Sequence, residues 1–223
     1  MKTSIVIPAY NEEKRIIPLL DALKKYSKTY EIIVVNDGSK DKTSEAVKKY
    51  KNINLIDRKK NKGKGYTVKE GMLKARGDNI IFMDADMSIK TDQIPKLTEA
   101  LEKYDVALGS RNLKDSKAKR DLKRKILSII FNFLVSTMFN LKYSDYLCGF
   151  KGFRKEIVKE LFEKVSEKGW VFDVELMYYI KIRKYSVKEV PIEWEEKEGS
   201  KITNRTVIKM LKNLFTLKKK LNF

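Results

Sequence analysis

Short apolar runs alternate with longer mixed segments through the first half of the chain. The runs are rich in Ile and Val and are bounded by turn-forming residues, as buried strands are. We predict strands at 4–8, 31–36, 53–56, 79–83 and 106–108. The segments between them have the length of helices. The pattern therefore predicts an α/β fold with a Rossmann-like, mostly parallel mixed sheet flanked by helices.

Polar residues predict where some of the helices begin. Asn11 can cap a helix that runs to about Tyr26, with Pro18 kinking it or delaying its start. Asp173 can cap a helix over 174–184 in the same way. Each of these residues thus has a structural interpretation that needs no chemistry.

The second half of the chain has a different pattern. A basic run at 114–125 precedes a 16-residue apolar segment at 126–141, which is shorter than a typical membrane span and is interrupted by polar residues. We interpret it as an interfacial or buried helix. A single strand is expected at 186–194 and a basic amphipathic helix at 207–221. No repeat or linker divides the 223 residues, so we predict one domain, 1–223.

Charge and residue usage narrow the possible chemistry. The chain has 49 basic and 30 acidic residues and a net charge of +19, which favours nucleic acid, anionic membranes or phosphorylated substrates as partners. It has no His, which excludes a Ser-His-Asp triad and His-rich zinc sites. Its single Cys fits a reducing compartment, and we expect no signal peptide. Any metal should be a hard, oxygen-ligated ion.

The polar residues that follow the strands are the natural ligand site, because ligands bind beyond the carboxyl ends of parallel strands. Asp84 and Asp86 flank Ala85 at such a strand end and can hold Mg²⁺ or Mn²⁺, or can simply form an acidic turn. Asp37 can accept hydrogen bonds from a nucleobase or cap a turn. The loop 61–65 can approach phosphate through glycine backbone and Lys64, or can be a solvated turn.

Further polar residues suit phosphate binding or proton transfer. Arg111, Arg124 and the pair Ser200–Lys201 can bind phosphate groups, although surface charge is the alternative interpretation for each. Asp173 is a candidate general base as well as a candidate helix cap.

Taken in order, these motifs resemble those of the family 2 glycosyltransferases. The resemblance rests on I-V-I-P-A-Y-N-E-E at 5–13, V-N-D-G-S-K-D-K-T at 35–43, N-K-G-K-G at 61–65, D-A-D at 84–86 and G-S-R at 109–111. It implies a GT-A fold, a nucleotide-diphosphate sugar donor, Mg²⁺ or Mn²⁺ as cofactor, and inversion at the anomeric carbon.

The second half resembles one branch of that family, the dolichyl-phosphate glucose and mannose synthases. D-Y-L-C-G-F-K-G-F at 145–153, W-V-F-D-V-E at 170–175 and G-S-K at 199–201 carry the likeness. Leu147 stands where this branch commonly has Gln. The resemblance implies transfer of a hexose, glucose from UDP-glucose before mannose from GDP-mannose, to a dolichyl or other polyprenyl phosphate.

The resemblance also assigns roles to individual residues. Residues 1–111 would form the nucleotide-sugar half and 112–223 an acceptor half with membrane-facing C-terminal helices. The nucleotide sugar would be bound by Pro8, Ala9, Tyr10, Glu12, Asp37, Lys64, Asp84 and Ala85. Asp84 and Asp86 would hold the metal; Asp86, Arg111 and Asp173 would be catalytic; and Arg111, Arg124, Ser200 and Lys201 would bind the acceptor phosphate.

Three other functions stay open at this point. A family 2 enzyme can instead act on a sugar hydroxyl, in which case Asp173 would be its base. A nucleotidyltransferase shares the alternating pattern but normally has a Gly-rich loop after the first strand. The net charge also allows a nucleic-acid-binding module, although no binding motif is visible. For the favoured function we expect a peripheral location on the cytoplasmic face of a membrane.

Overall fold

A computed structural model describes residues 2–119, 121–197 and 204–221. The strands are β1 Thr3–Ala9, β2 Tyr30–Asp37, β3 Asn54–Arg58, β4 Asn79–Met83, β5 Val106–Ser110, β6 Lys117–Lys119, β7 Phe150–Arg154, β8 Val187–Pro191 and β9 Glu193–Glu195. The helices are α1 Glu13–Leu23, α2 Thr43–Lys48, α3 Lys64–Lys74, α4 Ile94–Leu101, α5 Leu122–Phe139, α6 Lys155–Lys164, α7 Phe172–Ile182 and α8 Asn204–Lys220, with short 3₁₀ turns at Lys24–Tyr26 and Thr91–Gln93.

Seven strands form one sheet in the order β3-β2-β1-β4-β7-β5-β8. All neighbouring pairs are parallel except those of β7, which runs antiparallel to both β4 and β5. The predicted mostly parallel mixed sheet is therefore confirmed. Strands β7 and β8 come from the second half of the chain, so both halves contribute to the same sheet.

Alternate residues of the central strands enter opposite cores. Val6 packs in a layer with α3, α5, α6, α7 and α8, whereas its neighbours Ile5 and Ile7 pack in a layer with α1, α2 and α4. Because side chains alternate across a strand, an uninterrupted apolar run is what a sheet covered on both faces requires.

Several predicted boundaries are wrong for local reasons. Asn11 does not cap α1; it has a positive φ of 52°, and its side-chain oxygen accepts a hydrogen bond from the backbone of Lys40. Asp173 does not cap α7, since the helix already begins at Phe172. The strand expected at 186–194 is divided at Ile192, and β9 pairs with β6 in a separate two-stranded sheet.

Helix α5 begins earlier than the apolar segment indicated and ends at Phe139, and Asn140, which follows it, has a φ of 49°. It buries Phe131, Val135 and Phe139, spaced four residues apart on one face. A broad apolar stripe stays exposed, formed by Leu122, Ile126, Leu127, Ile129, Ile130 and Phe133. None of the helices in the described part of the chain has the length and hydropathy of a membrane span.

Candidate active site

The strand register brings the predicted site residues to one edge of the sheet. Ala9 pairs with Asn36, and Asp37 pairs with Arg58, so the ends of β1, β2 and β3 lie side by side. Strand β4 runs parallel to β1 and ends just before Asp84. The carboxyl ends of these strands therefore meet at the same edge, where ligands of such sheets bind.

Asp84 is fixed by the segment that leads into β7. Its backbone N–H donates to the carbonyl of Gly149 at 3.0 Å. One of its carboxylate oxygens lies so close to Gly149 that a Cβ there would overlap it, so glycine is required at this position. Asp86, two residues on, accepts a hydrogen bond from the backbone of Ser88 at 2.9 Å. The antiparallel strand β7 thus positions the D-A-D segment.

Lys64 supplies a positive charge to this segment. It is the first residue of α3, and its ammonium lies 2.7 Å from Oδ1 of Asp84 and 4.9 Å from the centre of the Trp170 ring. Its side chain is 13% exposed, against 35% for Asp84. Burial lowers the pKa of Lys64, but the carboxylates of Asp84, Asp173 and Asp86 outweigh it and raise the pKa overall. The ammonium therefore stays charged.

A second lysine pairs with Asp173 inside the protein. The ammonium of Lys151 is fully buried and lies 2.6 Å from the carboxylate of Asp173. It also donates to the carbonyl oxygens of Tyr146 and Cys148. Burial raises the pKa of Asp173 above its ordinary value, although Lys151 and Lys64 oppose the shift. The pair ties β7 to the start of α7.

Arg111 is held by a bidentate ion pair. Its Nε and Nη2 donate to the two carboxylate oxygens of Asp145 at 2.7 and 2.8 Å, and its backbone N–H donates to the same group. The guanidinium also lies 5.5 Å from the centre of the Trp194 ring. Burial alone would raise the pKa of Asp145, but the charge and hydrogen bonds of the nearby Arg111 oppose this effect, and the pKa is lowered overall. The carboxylate is therefore ionised. This fork fixes the plane of the guanidinium.

Asp37 organises the loop between β3 and α3. Its carboxylate accepts hydrogen bonds from Arg58 and from the backbone N–H groups of Lys62 and Gly63, at 2.7 to 2.9 Å. A carboxylate has about four acceptor sites. A nucleobase would therefore meet a carboxylate that is already fixed in place. Its role in base binding stays a prediction.

Three backbone N–H groups of the glycine-bearing loop bond other groups of the protein, which favours its interpretation as a structural turn, and phosphate binding by this loop stays a prediction. Its N–H groups at 62 and 63 bond Asp37, and that of Gly65 donates to the carbonyl of Lys168 at 2.8 Å. Gly63 has a φ of 98°, and a Cβ there would overlap the same carbonyl. The glycines allow close backbone packing, and the Lys64 side chain extends from this loop to Asp84.

The remaining predicted donor-site residues lie around the same edge. Pro8 and Ala9 end β1, and Tyr10 follows them, half-buried. The backbone of Glu12 is bonded to the Thr43 hydroxyl, and its carboxylate pairs with Arg15 at 2.7 Å. Ala85 is 3% exposed between the two aspartates.

Part of the predicted acceptor site lies outside the described residues. Ser200 and Lys201 are in that category. Arg124 belongs to α5 by its backbone, but its side chain is not described. Their predicted contacts with phosphate stay predictions.

A cleft of about 360 Å³ extends from Arg111 toward α5. It is lined by Arg111, Ser116, Ala118, Leu122 and Lys125. The exposed apolar stripe of α5 begins at Leu122, so the cleft connects that stripe to the fixed guanidinium. A larger cavity of about 530 Å³ lies near the amino ends of β2 and β3, lined in part by Ile17, Tyr50 and Ile53, away from this edge.

The fit of a divalent cation follows from the donors at this edge. The described residues contain no group of three or more acidic, Cys or His side chains arranged around one metal position. Two carboxylates, Asp84 and Asp86, nevertheless suit Mg²⁺ or Mn²⁺, which commonly take one or two protein carboxylates with water and substrate phosphate. Asp84 already binds one cation, the ammonium of Lys64, at 2.7 Å. The residues therefore fit the ion.

Four residues of this network were given no role in the sequence analysis, although three of them lie in the 145–153 motif. Arg58, Asp145, Gly149 and Lys151 hold predicted site residues in place. A lysine between apolar residues and glycine, as Lys151 is in β7, was the available signal, because an isolated buried charge requires a partner.

Sequence comparison gives one family and a set of curated relatives. The model of the family described as glycosyl transferase family 2 matches residues 4–162. A dolichyl-phosphate beta-glucosyltransferase, ALG5C of Trichomonas vaginalis, is 39% identical over 229 residues, covering 93% of this chain and 68% of the relative. The human dolichyl-phosphate beta-glucosyltransferase is 36% identical, covering 89% and 69%. That of Saccharomyces cerevisiae is 34% identical, covering 96% and 73%.

Solved structures share the fold at low sequence identity. Glucosyl-3-phosphoglycerate synthase from Mycobacterium tuberculosis, crystallised with Mn²⁺, UDP and glucosyl-3-phosphoglycerate, superposes with a TM-score of 0.77 at 16% identity. The match covers 96% of this chain and 79% of that one. S. aureus TarS 1–349 gives a TM-score of 0.62 at 18% identity, covering 96% and 71%. The expected GT-A fold is confirmed.

Proposed function

Because this chain belongs to glycosyl transferase family 2, we propose that it transfers glucose from UDP-glucose to a dolichyl or other polyprenyl phosphate. The curated relatives named for that activity support the glucose and the lipid phosphate. UDP-glucose is the donor we favour, with GDP-mannose as the next candidate.

One observation carries the proposal, the cleft between Arg111 and α5. A lipid phosphate has an anionic head and a long apolar tail, and the cleft is lined by the Arg111 guanidinium and by Leu122, the first residue of the exposed apolar stripe. Lys125 adds a cation to its wall. Arg is suited to phosphate recognition because its fork of donors is planar and permanently charged. Asp145 uses two of those donors and orients the others.

The chemical step we propose is a single displacement that inverts the anomeric carbon. An oxygen of the acceptor phosphate forms a bond to the anomeric carbon while the bond from that carbon to the UDP oxygen breaks. The electron pair of the broken bond stays on the departing UDP. A phosphate monoester has a second pKa of about 6 and is mostly ionised at neutral pH. The nucleophile therefore needs no proton removed. Arg111 orients the attacking phosphate, and Lys64 offers a positive charge to the leaving diphosphate.

A divalent cation would be held by Asp84 and Asp86. When bound, Mg²⁺ or Mn²⁺ would supply positive charge that stabilises the leaving diphosphate. The choice between the two ions belongs to experiment, since both accept the same oxygen ligands.

We place the reaction at a membrane surface, on its cytoplasmic face. The exposed stripe of α5 has the character of an interfacial helix, and Lys117, Lys119 and Lys125 are exposed beside it, where they can attract anionic headgroups. A single cysteine in the whole chain suits a reducing compartment.

A second candidate function is transfer to a sugar hydroxyl, and Asp173 favours it. A hydroxyl acceptor requires a base, and a carboxylate of raised pKa near Lys64 is of the right kind. Its close pairing with buried Lys151 favours a structural role instead.

Labelled-sugar transfer tests the proposal directly. The protein is incubated with vesicles that contain polyprenyl phosphate and with either UDP-[¹⁴C]glucose or GDP-[¹⁴C]mannose, with Mn²⁺ or with EDTA. We expect label in the organic phase from UDP-glucose, with Mn²⁺ only. Label from GDP-mannose alone would show that GDP-mannose, and not UDP-glucose, is the donor. Hydrolysis of the donor without labelled lipid would contradict the proposed lipid-phosphate acceptor.

A further inference from the structure

Lys64 is held in an unusual position for a lysine at the start of a helix. The amino end of a helix carries partial positive charge, which disfavours a cation there. The Lys64 side chain nevertheless lies along the Trp170 ring with its ammonium on Asp84. Acidic side chains at this edge, and not the helix, therefore account for where the ammonium lies.

The ammonium occupies the part of Asp84 that a metal ion would need. Gly149 packs against both carboxylate oxygens of Asp84, most closely against Oδ2, and the Lys64 ammonium lies 2.7 Å from Oδ1. Mg²⁺ binds carboxylate oxygens at about 2.0–2.1 Å. An ammonium and a divalent cation that contact the same carboxylate oxygen would lie close together and would repel each other strongly.

We propose that Lys64 is a displaceable counter-cation that makes metal binding depend on the donor. In the donor-free protein its ammonium neutralises Asp84 and weakens binding of a divalent cation. When a nucleoside diphosphate binds, the Lys64 ammonium pairs with its phosphates instead of with Asp84. The Asp84 carboxylate then becomes available to the divalent cation. Metal and diphosphate then bind cooperatively, and linkage requires each to strengthen the other equally. The inference rests on the donor and metal proposed above and adds their order of binding.

Binding of Mn²⁺ alone tests this without any catalytic assay. Free Mn²⁺ is followed by electron paramagnetic resonance during titration of the full chain, with and without UDP, for wild type, Lys64→Met and Lys64→Arg. We expect Lys64→Met to bind Mn²⁺ about tenfold more tightly than wild type without UDP. UDP should raise the Mn²⁺ affinity of wild type more than that of Lys64→Met. Lys64→Arg keeps the charge and should stay close to wild type.

Lys62→Met is the matched control for loss of charge. It removes the same charge two residues earlier, where the ammonium lies 3.3 Å from the Tyr66 hydroxyl and 4.5 Å from the centre of its ring. We expect its Mn²⁺ affinity to stay within about twofold of wild type. An equal gain in Lys62→Met, or an unchanged affinity in Lys64→Met, overturns the inference. Thermal unfolding confirms that each variant is folded, and Lys64→Gln serves as a second neutral variant.

The same titration separates this inference from the proposed function. If Mn²⁺ binds tightly in the presence of UDP and its affinity is the same in wild type and in the Lys64 variants, the counter-cation role of Lys64 is contradicted. The proposed metal site is then still supported. No Mn²⁺ binding by any variant, with or without UDP, would overturn both the counter-cation and the proposed metal.

Discussion

At the scale of single residues, the site is held together by three ion pairs. Lys64 bonds Asp84, Lys151 bonds Asp173, and Arg111 bonds Asp145. Asp84 follows β4, Asp173 lies in the first turn of α7, and Asp145 lies in the connection between α5 and β7. The pairs therefore join segments that are well separated in the sequence. A buried charge that loses its partner is costly, so these pairs are expected to be sensitive to single substitutions.

Asp173→Asn separates a structural role from a catalytic one. The buried Lys151 ammonium would lose its counter-charge, and we expect the free energy of unfolding to fall by about 3 kcal/mol in urea titrations. The folded variant should keep transfer to polyprenyl phosphate within about tenfold of wild type, because an ionised phosphate needs no base.

The double variant Lys151→Met/Asp173→Leu is the control for that experiment. Removing both charges should restore part of the lost stability, since no unpaired charge stays buried. A fall in kcat of about a thousandfold in Asp173→Asn, with unchanged stability, would identify a general base and favour a sugar hydroxyl as acceptor.

At the scale of elements, the sequence predicted the strands better than their connections. The run at 31–36 was recognisable because a strand buried on both faces is continuously apolar. The antiparallel entry of β7 between β4 and β5 was not, because direction depends on the return path of the chain after α5. Aspartates at strand ends were predicted as site residues. Their partners were not, since Lys151 and Asp173 lie 22 residues apart and meet only in the folded protein.

Helix α5 offers a test of the membrane surface. Ile129 and Phe133 are 54% and 69% exposed, so Ile129→Asp and Phe133→Asp should leave the thermal midpoint nearly unchanged. Each should reduce sedimentation with anionic vesicles by about tenfold, because the apolar face no longer enters the interface.

Ile17→Asp is the matched control for that test. This residue is 39% exposed on α1, away from α5, and its substitution should not alter vesicle binding. Unchanged sedimentation of both α5 variants, or an equal loss in the Ile17 variant, would contradict the assignment of this surface.

At the scale of the whole molecule, donor and acceptor features converge on one edge of the sheet. The ends of β1, β2 and β4 and the start of α3 supply the predicted donor residues, and Arg111 directly follows β5. Strand β7 places Gly149 against Asp84 and Lys151 beside Asp173. The second half of the chain therefore completes the site. The proposed division into a donor half and an acceptor half stays a prediction.

The most direct test of this account compares two acceptors that differ only in the phosphate. Transfer of labelled glucose from UDP-glucose is measured to polyprenyl phosphate and to the matched polyprenol, in the same vesicles with Mn²⁺, using wild type and Arg111→Lys. We predict labelled lipid from the phosphate only, and a fall in transfer of about a hundredfold in Arg111→Lys, which cannot form the bidentate pair with Asp145. Equal labelling of the polyprenol, or full activity of Arg111→Lys, would contradict it.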